Sequence, residues 1–188
     1  MDIIDQIIEA GKKLMEFGMI ESSHSGNLSA RINDKIYIKK HGRMMGYLKR
    51  EDIIELDMNS EEGYSEASVE VYAHRNIYLN SDAKAIVHAH TPYAIVLSLL
   101  YDKIEPVDEE GKFYLENIPV IVAERAVASM EIADKLGEVM RENRVAVIRG
   151  HGTFAIGENL DEAIKYLTLC ESISHISYLF HLYKGGVH

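Results

Sequence analysis

The chain of 188 residues has one cysteine, three prolines and no tryptophan. With Cys170 alone, no disulfide can close within the chain, so stability must come from a buried apolar core. That usage fits a reducing compartment, and the expected setting is cytoplasmic. No apolar run approaches the roughly 18 residues a membrane span needs. The acidic start, Met1-Asp2-Ile3-Ile4-Asp5, is unlike a signal peptide. Positive charge is scarce too: 20 Lys and Arg stand against 30 Asp and Glu, for a formal net charge of −10. Broad nucleic-acid binding needs a basic face and is not expected. An anionic small molecule, which needs only a local pocket, is not excluded. There is no internal repeat and no low-complexity stretch. The length fits one domain over residues 1–188 with a sizeable core.

What is present is organised around Ala85-Ile86-Val87-His88-Ala89-His90-Thr91. The run is short, partly β-branched and closed by Pro92, so it predicts a buried strand. Alternate side chains of a strand share a face, which puts His88 and His90 together. Two imidazoles on one face are a ready pair of metal ligands. They are equally a pair of core histidines bonded to backbone, and other segments must supply further ligands to decide it.

The remaining chain reads in order as follows. Apolar residues at helical spacing, with Gly18 as a stop, predict an amphipathic helix over residues 2–17. Ser22-Ser23-His24-Ser25-Gly26-Asn27 is a hydroxyl-rich loop. Its backbone N–H groups and the Asn27 amide suit an anion, or simply an ordinary turn. Two strands follow, joined at Asn33-Asp34. Lys39-Lys40-His41-Gly42-Arg43 then places four basic side chains in five residues, either a solvated face or a second arm of an anion site. A further short strand or turn lies at 51–56. Residues 67–79 predict a helix on which Glu70 and His74, four apart, share a face, by default as a surface pair.

Thr91-Pro92 predicts a side-chain N-cap and first turn for an apolar helix over 92–100. An acidic connection spans 102–117, a strand 118–122, and a Ser129-capped helix runs to about residue 142. Val145-Ala146-Val147-Ile148 leads into Arg149-Gly150-His151-Gly152 and a second strand, a hairpin with His151 near its tip. A long helix over 161–183 closes the chain. His175, His181 and His188 read by default as core, surface and tail.

Four of these segments, in this order and spacing, resemble the class II aldolase/adducin family. They are Gly26-Asn27-Leu28-Ser29, then Ser68-Val69-Glu70 with His74-Arg75-Asn76-Ile77-Tyr78, then Val87-His88-Ala89-His90, then His151-Gly152. The resemblance covers nearly the whole chain. It implies an α/β fold, a three-layer α/β/α sandwich around a central, mostly antiparallel mixed sheet, commonly as a homotetramer. It also implies zinc, or another divalent ion, on His88, His90 and His151, with Glu70 as the catalytic acid/base that can also reach the metal. Gly26, Asn27, Gly42, Ser68, His24 and His41 fall at substrate phosphate-binding places. His24, His41 and Val69 stand where fuculose-phosphate aldolases carry small hydroxyl residues. The implied reaction is retro-aldol cleavage of a small sugar phosphate to dihydroxyacetone phosphate and an aldehyde. Dehydration, epimerisation or decarboxylation at the same metal site, or a non-catalytic adducin-like module, are the alternatives. The tyrosine that the family takes from a neighbouring subunit has Tyr114 as its nearest candidate.

Overall fold

A computed structural model describes residues 1–20 and 26–185. Its helices are α1 (Ile3–Glu16), α2 (Val71–Asn80), α3 (Pro92–Leu100), α4 (Glu109–Tyr114), α5 (Met130–Val139) and α6 (Leu160–Lys184). Its strands are β1 (Asn27–Ile32), β2 (Lys35–Lys39), β3 (Ile53–Asp57), β4 (Ala85–Ala89), β5 (Lys103–Ile104), β6 (Ile118–Ile121), β7 (Val145–Ile148) and β8 (Gly152–Gly157). They form one sheet in the order β3-β2-β1-β4-β8-β7-β6-β5. Every neighbouring pair is antiparallel except β6 and β7.

The apolar alternation along the strands builds two separate cores. Leu28, Ala30, Val87, Val147 and Ala155 face one way and pack with Ile7 and Leu14 of α1, Leu97 of α3 and Leu167 of α6. Ile36, Ile38, Ile86, Ile148 and Phe154 face the other way and pack with Ile77 of α2 and Leu136 of α5. Helices therefore cover both faces of the sheet, giving the three layers that the family resemblance implied. A strand covered on both sides must be apolar at nearly every position, which is why β4 reads as an unbroken small and aliphatic run up to His88. Each fully buried Leu or Ile contributes about 1.5–3 kcal/mol through removal of its surface from water.

Local chemistry sets the boundaries. Asp2 starts α1 by accepting the Asp5 N–H at 2.9 Å, as a helix N-cap does. Ser129 does the same for α5 through the Ile132 N–H. Asn33, with φ +52°, turns β1 into β2, a conformation that Asn tolerates better than most residues. The acidic connection after α3 is not an open loop, because it holds β5 and the short helix α4.

One helix start and one helix cap differ from the sequence expectation. The helix expected from residue 67 begins at Val71. Ala67 instead bridges to Lys40, and the Ser68 N–H donates to the Lys39 carbonyl at 3.0 Å. Residues 67–70 are thus tied to the end of β2, and Glu70 becomes the N-cap residue of α2 rather than part of its body. Thr91 does occupy the N-cap position of α3, but its side chain makes no capping bond. The Glu171 carboxylate, from α6, takes the N–H groups of Tyr93 and Ala94 at 3.0 Å each, and the Thr91 hydroxyl pairs with that of Thr153 at 2.6 Å.

Candidate active site

The strand register assembles the site. Asn27 stands opposite His88 across β1 and β4, and His88 stands opposite Phe154 across β4 and β8. His90 follows two residues after His88, on the same side of the strand. His151 arrives from the β7–β8 turn, where its N–H donates to the Ile148 carbonyl at 3.0 Å. Gly150 holds φ +68° at the third position of that turn, a conformation that favours glycine. Gly152 matters for space, because a β-carbon there would lie 2.6 Å from the Ala89 carbonyl oxygen and 2.9 Å from the His88 ring.

One ring nitrogen each from His88, His90 and His151 lies within 4.8 Å of the others. The His88 and His151 ring centroids are 4.9 Å apart, as are those of His90 and His151. All three are held in the neutral form. Burial pushes His88 down to about 3, with His90 adding to the effect and the Thr153 carbonyl opposing it. Burial likewise lowers His151, to about 4, assisted by His88. Burial lowers His90 against the opposing pull of Glu70.

The tautomer of His88 follows from its partner. Its Nδ1 lies 2.9 Å from the Thr153 carbonyl oxygen, which only accepts, so Nδ1 carries the proton and Nε2 presents a bare lone pair. That Nε2 faces Glu70 Oε2 at 3.3 Å, and His151 Nδ1 faces Glu70 Oε1 at 3.9 Å. Among the described residues, His88 Nε2, His151 Nδ1 and Glu70 Oε1 are all buried without a hydrogen-bond partner. Buried polar atoms that converge without hydrogen-bond partners are costly to desolvate. A divalent cation between them removes that cost. Three neutral imidazoles with one anchored second nitrogen form the donor set such an ion takes.

Glu70 and His74 are not the surface pair expected by default. Both are buried, at 4% and 0% exposure, and Asn27 stands between them. Asn27 donates to Glu70 Oε2 at 2.8 Å, and its carbonyl oxygen bonds His74 Nε2. The core and surface defaults for His175 and His181 hold only in part. The His175 ring, half-buried, stacks on Tyr93 at 4.0 Å between centroids. His181 is exposed and pairs its Nδ1 with the Ser177 carbonyl at 2.9 Å. His188 lies outside the described residues.

Beside the histidines opens a cleft of about 240 Å³, lined by Gly26, Asn27, Lys39, His41, Gly42, Ser68, Val69 and Glu70, with His90, His151 and Val127. Five of the six phosphate-binding candidates from the sequence therefore meet in one cleft; His24 lies outside the described residues. Lys39 was not singled out from the basic run, yet it is the member that turns inward. It is 3% exposed and donates to the Arg43 carbonyl at 2.8 Å. Burial pulls its ammonium down to about 8, against the favourable charge of Asp52. Lys39 is the last residue of β2, and no local pattern in the sequence marks its side chain as the buried one of the basic run. Tyr114 does not line this cleft within the chain; the Lys165 ammonium sits 4.4 Å from its ring centroid.

Comparison with known proteins follows the same lines. The model of the class II aldolase and adducin N-terminal domain matches residues 5–178. An L-fuculose phosphate aldolase of Methanocaldococcus jannaschii is 29% identical over 180 residues, covering 95% of this chain and 97% of the relative. A methylthioribulose-1-phosphate dehydratase of Pseudoalteromonas translucida is 30% identical, covering 89% of this chain and 86% of the relative. The crystal structure of L-fuculose-1-phosphate aldolase from Thermus thermophilus superposes with a TM-score of 0.91 at 34% identity, covering 99% of this chain and 97% of that one.

Proposed function

The chain belongs to the class II aldolase and adducin N-terminal domain family, as an enzyme of the metal-dependent aldolase type, and we propose that it cleaves a small sugar phosphate of the fuculose-1-phosphate kind. The products are dihydroxyacetone phosphate and an aldehyde. The observation that carries this reading is the convergence of His88 Nε2, His151 Nδ1 and Glu70 Oε1, all buried and without partners among the described residues, beside a cleft lined by Lys39, Gly42 and Ser68.

His88, His90 and His151 hold the divalent ion, zinc in this reading; manganese, cobalt and iron also suit three imidazoles and a carboxylate. Bound there, the ion supplies Lewis-acid polarisation of the substrate carbonyl. Glu70 moves a proton to and from carbon as the C–C bond breaks or forms. Its Oε2 is fixed by Asn27, which leaves Oε1 for the reacting group. Lys39, with Ser68 and the backbone around Gly26 and Gly42, binds the phosphate and sets the distance from phosphate to scissile bond. Val69, half-exposed at the cleft, and His41 replace small hydroxyl groups and narrow the choice of substrate.

A dehydratase reading rests on one observation, the 30% identical methylthioribulose-1-phosphate dehydratase that spans most of the chain. Mass analysis of the products separates the two. With L-fuculose 1-phosphate, two fragments are expected; with methylthioribulose 1-phosphate, loss of water and no cleavage would replace the aldolase reading. Exposed Leu99 and Leu100 at the end of α3 and Phe180 and Tyr183 near the end of α6 offer apolar surface for self-association, and we assign the chain as one domain in a cytoplasmic homotetramer. Light scattering of the purified protein tests the assembly.

A further inference from the structure

Beside the cleft, a row of buried side chains runs from α2 back to Glu70, and the reaction proposed above uses only its last two members, Asn27 and Glu70. Tyr78 Oη lies 2.8 Å from Ser29 Oγ, and Ser29 Oγ lies 2.7 Å from His74 Nδ1. His74 Nε2 bonds Asn27 Oδ1, and Asn27 Nδ2 reaches Glu70 Oε2 at 2.8 Å. Tyr78, Ser29, His74, Asn27 and Glu70 are all buried, none more than 4% exposed.

The direction of every bond follows from the carboxylate end. Asn27 turns its NH2 group to the Glu70 carboxylate oxygen, which accepts, and its carbonyl oxygen to His74. That oxygen also only accepts, so His74 Nε2 carries the proton. Burial keeps the ring neutral, so Nδ1 holds a lone pair and accepts a hydrogen bond from the Ser29 hydroxyl. Ser29 in turn accepts from Tyr78. Inverting one member sets acceptor against acceptor where the side chains are sealed from solvent.

We infer that Ser29 and His74 are positioning residues that act through Asn27, holding its amide N–H on Glu70 Oε2 and thereby orienting a carboxylate that faces His88 Nε2 through Oε2 and His151 Nδ1 through Oε1. This rests on the acid/base role proposed for Glu70. The spacing that builds the row is plain in the sequence: Asn27 and Ser29 share one face of β1, and His74 and Tyr78 sit four apart on α2.

The test has an arm that needs no turnover. Nitrogen-15 NMR of the metal-free, histidine-labelled protein, with His74→Gln to assign the signal, is expected to give His74 as the Nε2–H tautomer at neutral pH. The Nδ1–H tautomer or an imidazolium would overturn the proposal even if Glu70→Gln is inactive as expected. Ser29→Ala removes the donor to Nδ1 and is expected to lose the single tautomer. Its kcat with L-fuculose 1-phosphate should fall about tenfold, with KM and metal content unchanged. Tyr78→Phe leaves the Ser29–His74 bond in place and should do less. An unaltered kcat in Ser29→Ala, or a greater loss in Tyr78→Phe than in Ser29→Ala, would contradict the positioning role. Full activity in Glu70→Gln with the expected tautomer would instead remove the role of Glu70 and leave the row as architecture.

Discussion

Glu70 and Glu171 are both buried carboxylates, 4% and 7% exposed, but they stand in opposite situations. Glu171 spends both oxygens on backbone, taking the N–H groups of Tyr93 and Ala94 at the start of α3. Its neighbours are satisfied in the same way: Thr91 pairs with Thr153, and Ser174 donates to the Cys170 carbonyl at 2.8 Å. Burial pushes the Cys170 thiol up to about 12, which leaves it inert. Glu70 takes the Asn27 amide on Oε2, which also lies 3.3 Å from His88 Nε2, while Oε1, with no hydrogen-bond partner among the described residues, faces His151 Nδ1 at 3.9 Å. A buried acid whose bonds are complete holds a helix in place. A buried acid left beside unpartnered acceptors is arranged for something the chain does not itself contain, and this contrast separates chemistry from scaffold in the molecule.

The comparison is broken most sharply by exchanging the two acids' fates. Glu70→Gln is expected to lower kcat by about 10²–10⁴-fold while the protein melts no lower than the parent. Glu171→Ala should do the reverse. It strips two N–H groups of their acceptor and should cost about 3 kcal/mol of stability, with kcat of the folded fraction changed far less. Urea titration beside steady-state kinetics reads both, and a stability loss in Glu70→Gln equal to that of Glu171→Ala would erase the distinction.

Acid sharpens it next. His74 and His88 are pushed down to about 3 and His151 to about 4, from 6.5 in an unstructured chain. These rings are neutral when folded, so the unfolded chain binds more protons below pH 6.5. Stability of the metal-free protein is therefore full above about pH 6.5 and falls as pH drops toward 3, by up to about 1.4 kcal/mol per pH unit for each histidine. Urea midpoints between pH 8 and pH 5 check the sign; a midpoint that rises toward acid would contradict the burial of neutral rings.

The smallest expected effect concerns the cleft. Lys39 must be charged to hold phosphate, and burial brings its free-state value to about 8. Inhibition by inorganic phosphate should be strongest below about pH 8 and weaken above it. Lys39→Met should weaken it about tenfold, in keeping with loss of a charge-assisted bond. Unchanged inhibition in that variant would move the phosphate elsewhere in the cleft.

Much of the site was legible in the residues because strands and turns deliver it by short-range rules. Alternation places His88 and His90 together, and a Gly-flanked turn presents His151. The layer order was legible only through the family resemblance, since β1 pairs with β4 across the intervening residues 33–84, a pairing that no local pattern encodes. Long-range pairing also hid the true start of α2. The bridge from Ala67 to Lys40 overrides helical periodicity and turns Glu70 inward at the N-cap. The link from Ser29 to His74 was hidden for the same reason: each half shows its spacing, but only the packing of α2 on β1 joins them.

The central claim is that the three histidines and Glu70 form a metal-holding active site. Mass-spectrometric metal analysis of the purified, tag-free protein beside His88→Ala tests it most directly. About one divalent ion per chain, lost in the variant, is the expected result for three neutral imidazoles converging on one point. No metal in either protein after reconstitution with zinc, manganese or cobalt would contradict it, and the buried acceptors would then need another partner.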